Sequence, residues 1–226
     1  MNPSPLEVLY EDNHLLALSK PAGLATMGAP AGRPTLTAMA KQYIKGRYAK
    51  PGNVYLGVVS RLDAPVSGIV LLARTSKAAR RLTEQFRCGT VEKTYWTIVE
   101  GNVEPPLESC VDWVGKDERQ HRMQIVEPTS PGAKQARLCY RRLARVQRDS
   151  LLEVKLQTGR KHQIRLQLAH RGHPILGDRK YGSRRRWPTG IALHARRLVI
   201  GHPVGGAPLE LEAPLPGVWR TFGVVG

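Results

Sequence analysis

The sequence predicts an α+β fold, and three observations carry that prediction. Short β-prone runs come in pairs separated by turn residues, as in hairpins. Helical spacing of apolar residues is confined to a few separate segments. The two kinds of segment do not alternate regularly, which argues against a repeating βαβ architecture. At 226 residues the chain suits one large domain, or two small lobes sharing a core. No internal repeat or low-complexity linker divides it, so 1–226 is expected to form a single domain.

The elements follow in order. "LEVLYEDNHLLALSKPAG" reads as a hairpin whose polar turn is "EDNH" and whose second strand ends at Pro21 and Gly23. "TLTAMAKQYIKG" places Leu36, Met39, Tyr43 and Ile44 at helical spacing, with Thr35 as N-cap and Gly46 closing the helix. "YLGVV" (55 to 59) and "IVLLA" (69 to 73) are short buried strands. "SKAARRLTEQFRCG" is a helix capped by Ser76, with Ala79, Leu82 and Phe86 as its apolar stripe and Gly89 at C′. "EKTYWTIVEG", "ESCVDWV", "HRMQIV", "ARLCYRRLARV" and "LLEVKLQ" read as strands, and "EPTSPGAK" (127 to 134) as a surface loop. "KHQIRLQLAHRG" is a helix ending at Gly172, and "LHARRLVIGHP" and "LELEAPLP" add two further strands.

Charge narrows the choice of partner. Lys plus Arg number 35 against 18 for Asp plus Glu, a formal charge of +17. Such an excess attracts polyanions and is the footprint of nucleic-acid binding. "RRRW" (184 to 187) favours phosphate contact, because guanidinium forks fit phosphate oxygens. Cys88, Cys110 and Cys139 are far apart and form no CxxC pair, which argues against a disulfide framework or a zinc site. "MNPSPLEVLYED" lacks an apolar signal core, and "IVLLA" is too short to span a bilayer. A soluble, cytoplasmic protein is expected, with no membrane partner.

Two stretches concentrate chemistry. "SRLDAPVSGIVLLA" (60 to 73) sets Asp63 after an arginine and ahead of a Ser-Gly turn. Taken alone, a loop aspartate is usually a local hydrogen-bonding residue. Here strands on both sides fix the loop, and Arg61 can help keep the carboxylate ionised. "TGRKHQIRLQLAHRGHPILGD" (158 to 178) gathers Arg160, Lys161, His162 and Arg165 at the start of a helix. Cations there oppose the helix dipole, which points to an anionic partner. His170 and His173 make an HxxH, a weak metal signal without further ligands, and no metal is expected. No Walker loop, strand-borne GxGxxG or G-x-S-x-G elbow is present, so no nucleotide cofactor is indicated.

These motifs together resemble the RluA-type pseudouridine synthases. "SRLDAPVSGIVLLA" is similar to that family's H-R-L-D-x-x-T-S-G signature, and "TGRKHQIRLQLAHRGHPILGDRKYG" to its second signature. "LYEDNHLLALSKPAGLATM", "VEKTYWTIVEG" and "LHARRLVIGHP" match its N-terminal, K-x-Y and C-terminal motifs in the family's order. A short form of the family, without an S4-like segment ahead of the catalytic part, is expected.

The resemblance implies a mixed, mainly antiparallel central sheet with helices and loops around a basic cleft. It implies isomerisation of uridine to pseudouridine in RNA, without cofactor or metal, by a monomer acting on a ribosomal or transfer RNA stem-loop. Asp63 falls on the catalytic aspartate, Tyr95 on the active-site tyrosine, and Arg165 on the arginine paired with the aspartate. Arg61 falls on an arginine that fills the space left by the flipped nucleotide, and Arg160, Lys161 and His162 are expected to bind RNA. Ser60 stands where the family usually has His, and Pro65-Val66 replace a polar-Thr pair. A catalytically weak or inactive RNA-binding relative is the alternative; a DNA-binding protein is remote, since no recognition-helix or zinc pattern is present.

Overall fold

The computed structural model describes residues 6–49 and 51–224. The opening five residues of the acidic N-terminal stretch therefore lie outside the described residues. The chain runs β1 (Glu7–Glu11), β2 (Leu15–Lys20), α1 (Leu36–Arg47), β3 (Gly57–Val58), β4 (Ser67–Ala73), α2 (Ser76–Cys88), β5 (Glu92–Val99), β6 (Leu107–Asp117), β7 (Arg122–Ile125), β8 (Lys134–Val146), β9 (Asp149–Leu156), α3 (Gln163–His170), β10 (Leu193–Gly201) and β11 (Pro208–Glu212). It divides into a first unit, Met1–Val91 with Ala195–Pro216, and a second, Glu92–His194 with Gly217–Gly226.

The first unit is built on β4. On one side β4 pairs antiparallel with the whole of β2, from Lys20↔Gly68 to Leu15↔Ala73. β1 continues from β2, while β3 and β10 also neighbour β4 and β11 extends from β10. Every residue of β4 is buried. Its odd-numbered members Ile69, Leu71 and Ala73 pack with Leu82 and Ala78 of α2. Its even-numbered members Val70 and Leu72 pack with Leu36, Ala40 and Ile44 of α1. A strand covered on both faces reads as a continuous apolar run rather than an alternation, which is why "IVLLA" carries no polar residue. Leu71 and Leu72, both fully buried, contribute about 1.5–3 kcal/mol each from burial.

Glycine at position 68 is a requirement of close approach. Its φ is +113°, and a Cβ there would lie 2.6 Å from the Ala195 nitrogen and nearer still to the Ala195 carbonyl oxygen. The Ser-Gly pair of the opening motif is thus the point where β4 comes against β10.

The second unit is an antiparallel sheet in the order β5-β9-β8-β6-β7. α3 lies on one face, where Leu166 and Tyr181 pack with Val114 and Ala136. Gln167 ties the helix down by donating to Asp112 Oδ2 (2.6 Å) and the Ala136 carbonyl (3.2 Å). The expected α+β class with a mainly antiparallel sheet is borne out.

Several boundaries differ from the sequence reading. Thr75, not Ser76, caps α2: its extended backbone frees Oγ1 to accept from Ala78 N at 3.2 Å, while Ser76 is already helical. Thr35 caps α1 as expected. Gly46 does not close that helix, which continues through Arg47, a cation suited to a helix C-terminus and ion-paired with Glu11. α3 starts at Gln163, because His162 has a left-handed backbone (φ 56°) that ends the preceding turn.

Candidate active site

The Asp63 loop is pinned at four points, all within the first unit. Ser60 Oγ accepts from Leu71 N at 2.9 Å, fastening the loop's start to β4. Thr26 Oγ1 donates to the Leu62 carbonyl (2.9 Å) and accepts from Leu62 N (3.2 Å). Val66 N donates to the Asp63 carbonyl at 3.0 Å, closing a turn through Ala64 and Pro65. Gly23 N and Lys20 Nζ both donate to the Ala64 carbonyl, at 2.8 and 3.2 Å. Ser60 and Val66, the departures from the signature, are therefore built into this frame: Ser60 supplies a backbone partner, and Val66 is buried.

Lys20 is the residue that the sequence reading missed. It ends β2 at only 1 % exposure. Its ammonium donates to the carbonyls of Pro21 (2.9 Å), Leu24 (2.7 Å) and Ala64. Burial lowers its pKa to about 8, and the Asp63 carboxylate pulls the other way. A cation held by three carbonyls thus lies near enough to the half-buried Asp63 to interact with its carboxylate. Arg61, two residues before Asp63, is exposed.

The second stretch lies in the second unit, as does Tyr95. Gln163 organises the "TGRKHQ" turn: its Oε1 accepts from Thr158 Oγ1 (2.7 Å) and Arg160 N (2.9 Å), and its Nε2 donates to the Arg137 carbonyl (3.0 Å). Arg160 and Lys161 are exposed, although Arg160 Nε donates to the Gln135 carbonyl. His162 turns inward, its Nδ1 2.7 Å from the Tyr181 hydroxyl. Arg165 is 5 % exposed; it stacks over the Tyr181 ring at 5.1 Å and forms two hydrogen bonds with the buried Asp178. His162 and Arg165 thus share a face, as their spacing predicts, and Tyr181 is what they share. An internal carboxylate, Asp178, supplies one anionic partner for this cationic cluster. Tyr95 stands opposite Val154, on the sheet face that α3 covers, and is half-buried.

The model of the RNA pseudouridylate synthase family matches residues 14–170. This chain belongs to that family. The RluA-type resemblance is borne out with it. The chain is 34% identical to "tRNA pseudouridine synthase C" of Pectobacterium carotovorum, over 98% of this chain and 63% of that protein. It is 35% identical to "Ribosomal large subunit pseudouridine synthase D" of Xylella fastidiosa, over 94% of this chain and 66% of that one. It therefore spans less than two thirds of the length of these two relatives. The solved structure of "Human RNA Pseudouridylate Synthase Domain Containing 4" shares its fold, with a TM-score of 0.79 at 24% identity over 96% of this chain and 91% of that one. The family match includes the Asp63 loop, Tyr95 and the turn at Arg160, while Asp178 and the "RRRW" stretch fall beyond it. No helix among the described residues is long and apolar enough to cross a membrane.

Proposed function

We propose that this chain isomerises uridine to pseudouridine at defined positions of ribosomal or transfer RNA stem-loops. In this reading residues 1–226 act as one catalytic domain, as a monomer, in the cytoplasm. The observation that carries the proposal is the four-point fastening of the Asp63 loop beside a buried, charged Lys20, in a chain of the pseudouridylate synthase family.

The chemistry fits such a group. The N1–C1′ bond of uridine must break, the uracil must turn, and a C5–C1′ bond must form as C5 loses its proton and N1 gains one. A stacked base cannot turn, so the nucleotide leaves its helix first. Cleavage develops positive charge on the ribose, which a pre-aimed carboxylate stabilises. Asp63 is that carboxylate, acting by charge, by covalent attachment to the sugar or by removing a sugar proton. Tyr95 offers a ring for the base and a hydroxyl for proton transfer. Arg165 keeps the site's negative charge aimed, and Arg61, Arg160, Lys161 and His162 contact RNA.

The test is release of tritium from RNA labelled at uracil C5. The native protein is expected to release label, and Asp63→Asn to release none while still binding RNA. Native protein that binds RNA but releases no label from any cellular RNA would instead establish a non-catalytic RNA-binding relative.

A further inference from the structure

We propose that a cavity in the second unit, formed around the "RRRW" stretch, is a phosphate site for the backbone of the RNA substrate. This rests on the reading of the protein as one that acts on RNA. The cavity measures about 350 Å³ and is lined by Gly177, Arg179, Arg185, Arg186, Trp187 and Gly190.

Its frame is rigid. Glu100 Oε1 accepts from Ser183 Oγ (2.7 Å), Arg184 N (2.9 Å) and Arg185 N (3.1 Å), fixing the main chain where the arginine run begins. Gly177 N donates to Ser183 Oγ (3.1 Å) and to the Arg185 carbonyl (3.2 Å). The Arg185 guanidinium is held by the buried Asp149. Trp187 is 7 % exposed and packs against Trp219 and Phe222, with ring centroids 5.4 and 4.6 Å away. Glycine at 177 lets the walls approach closely: its φ is +84°, and a Cβ would come within 2.6 Å of Trp187 Cβ and 2.9 Å of the Gly190 carbonyl oxygen.

The charge balance points to an anion. Asp149 is taken by Arg185, Asp178 by Arg165, and Glu100 by its three donors. Among the described residues, Arg179, Arg184 and Arg186 have no ion pair, and all three are exposed. Arginines gathered on one frame without carboxylate partners of their own repel one another, and an incoming phosphate relieves that repulsion through forked N–H···O bonds. The volume accommodates a phosphodiester with part of a neighbouring ribose.

The experiment measures binding without turnover. Bulk transfer RNA and fragmented ribosomal RNA are each titrated with native protein and with R179Q/R186Q, from 50 to 200 mM salt. Both altered side chains are exposed and outside any ion pair, so the fold stays intact. The variant is expected to bind at least one RNA about ten-fold more weakly at low salt, with the slope of log K against log salt shallower by about 1.4–1.8. The exposed α2 pair K77Q/R80Q removes the same charge elsewhere and is expected to change the slope by less than about 0.5. A slope in R179Q/R186Q that stays within the control's range for both RNAs overturns the proposal. So does loss of inorganic phosphate binding with no change in the RNA slope, which would make this a site for free phosphate. The readout is affinity alone, so native protein that binds through this cavity yet releases no tritium keeps the site and sinks only the catalytic reading.

Discussion

Arg165 and Asp178 face each other inside the second unit as a forked pair, Nε to Oδ2 at 2.7 Å and Nη2 to Oδ1 at 2.8 Å. Their side chains are 6 and 1 % exposed. Removing one member of such a buried pair costs far more than replacing both, because a desolvated charge loses its partner. Asp178→Leu alone, or Arg165→Met alone, is expected to lower the unfolding free energy by about 3–5 kcal/mol. The double change Arg165→Met with Asp178→Leu is expected to be less harmful than the sum of the single changes, with a coupling of at least about 1 kcal/mol. Denaturant unfolding of the four proteins checks this; additive losses would show that the pair is not a unit.

Gly68 and Gly23 separate two costs of glycine replacement. Both have positive φ, +113° and +88°. A Cβ at 68 strikes the backbone of Ala195, whereas one at 23 meets nothing within 4 Å. Gly23→Ala is expected to cost about 1–2 kcal/mol, the penalty of the left-handed backbone alone. Gly68→Ala must also push β4 off β10, and is expected to exceed about 4 kcal/mol or to prevent folding. Thermal unfolding of the two variants checks the order.

Lys20 makes stability depend on pH in a defined window. Its folded pKa is about 8 against an ordinary 10.5, so between these values the unfolded chain binds more protons at this site. Stability then rises with pH across that window and is flat below it. The unfolding free energy of the native protein, less that of Lys20→Met, is therefore expected to grow from pH 8 to 10, by at most about 1.4 kcal/mol per unit. A difference that falls with pH would mean that Lys20 is stabilised, not penalised, in its charged form.

How much of this was legible in sequence depends on what kind of contact a residue makes. The burial of β4 on both faces was legible, because "IVLLA" has no polar residue to turn outward. The Asp63 loop was legible through its motif. Lys20 was not: its partners are the carbonyls of Pro21, Leu24 and Ala64, and backbone acceptors leave no side-chain pattern to read. Asp178 was hidden because its link to Arg165 spans thirteen residues and a change of chain direction after α3. Thr75 and Ser76 are adjacent capping types, and only backbone geometry separates them. Thr75→Ala is accordingly expected to cost about 1 kcal/mol and Ser76→Ala a few tenths, by thermal or denaturant unfolding.

Ser60 tests whether the departure from the family's histidine still serves the Asp63 loop. Its Oγ is the acceptor for Leu71 N, in the middle of a strand buried on both faces. Ser60→Ala strands that N–H and is expected to cost about 1–3 kcal/mol of stability. It also frees the start of the loop that carries Asp63. Misplacement of a reacting group by about 1 Å can cost a hundred-fold in rate, so a fall of at least about ten-fold in kcat is expected, with KM changed much less. Ser60→Thr keeps a hydroxyl at the same atom and is expected to restore most of both losses. Tritium-release kinetics alongside unfolding curves separate the outcomes: stability lost without loss of kcat would show that Leu71 needs Ser60 but that Asp63 does not.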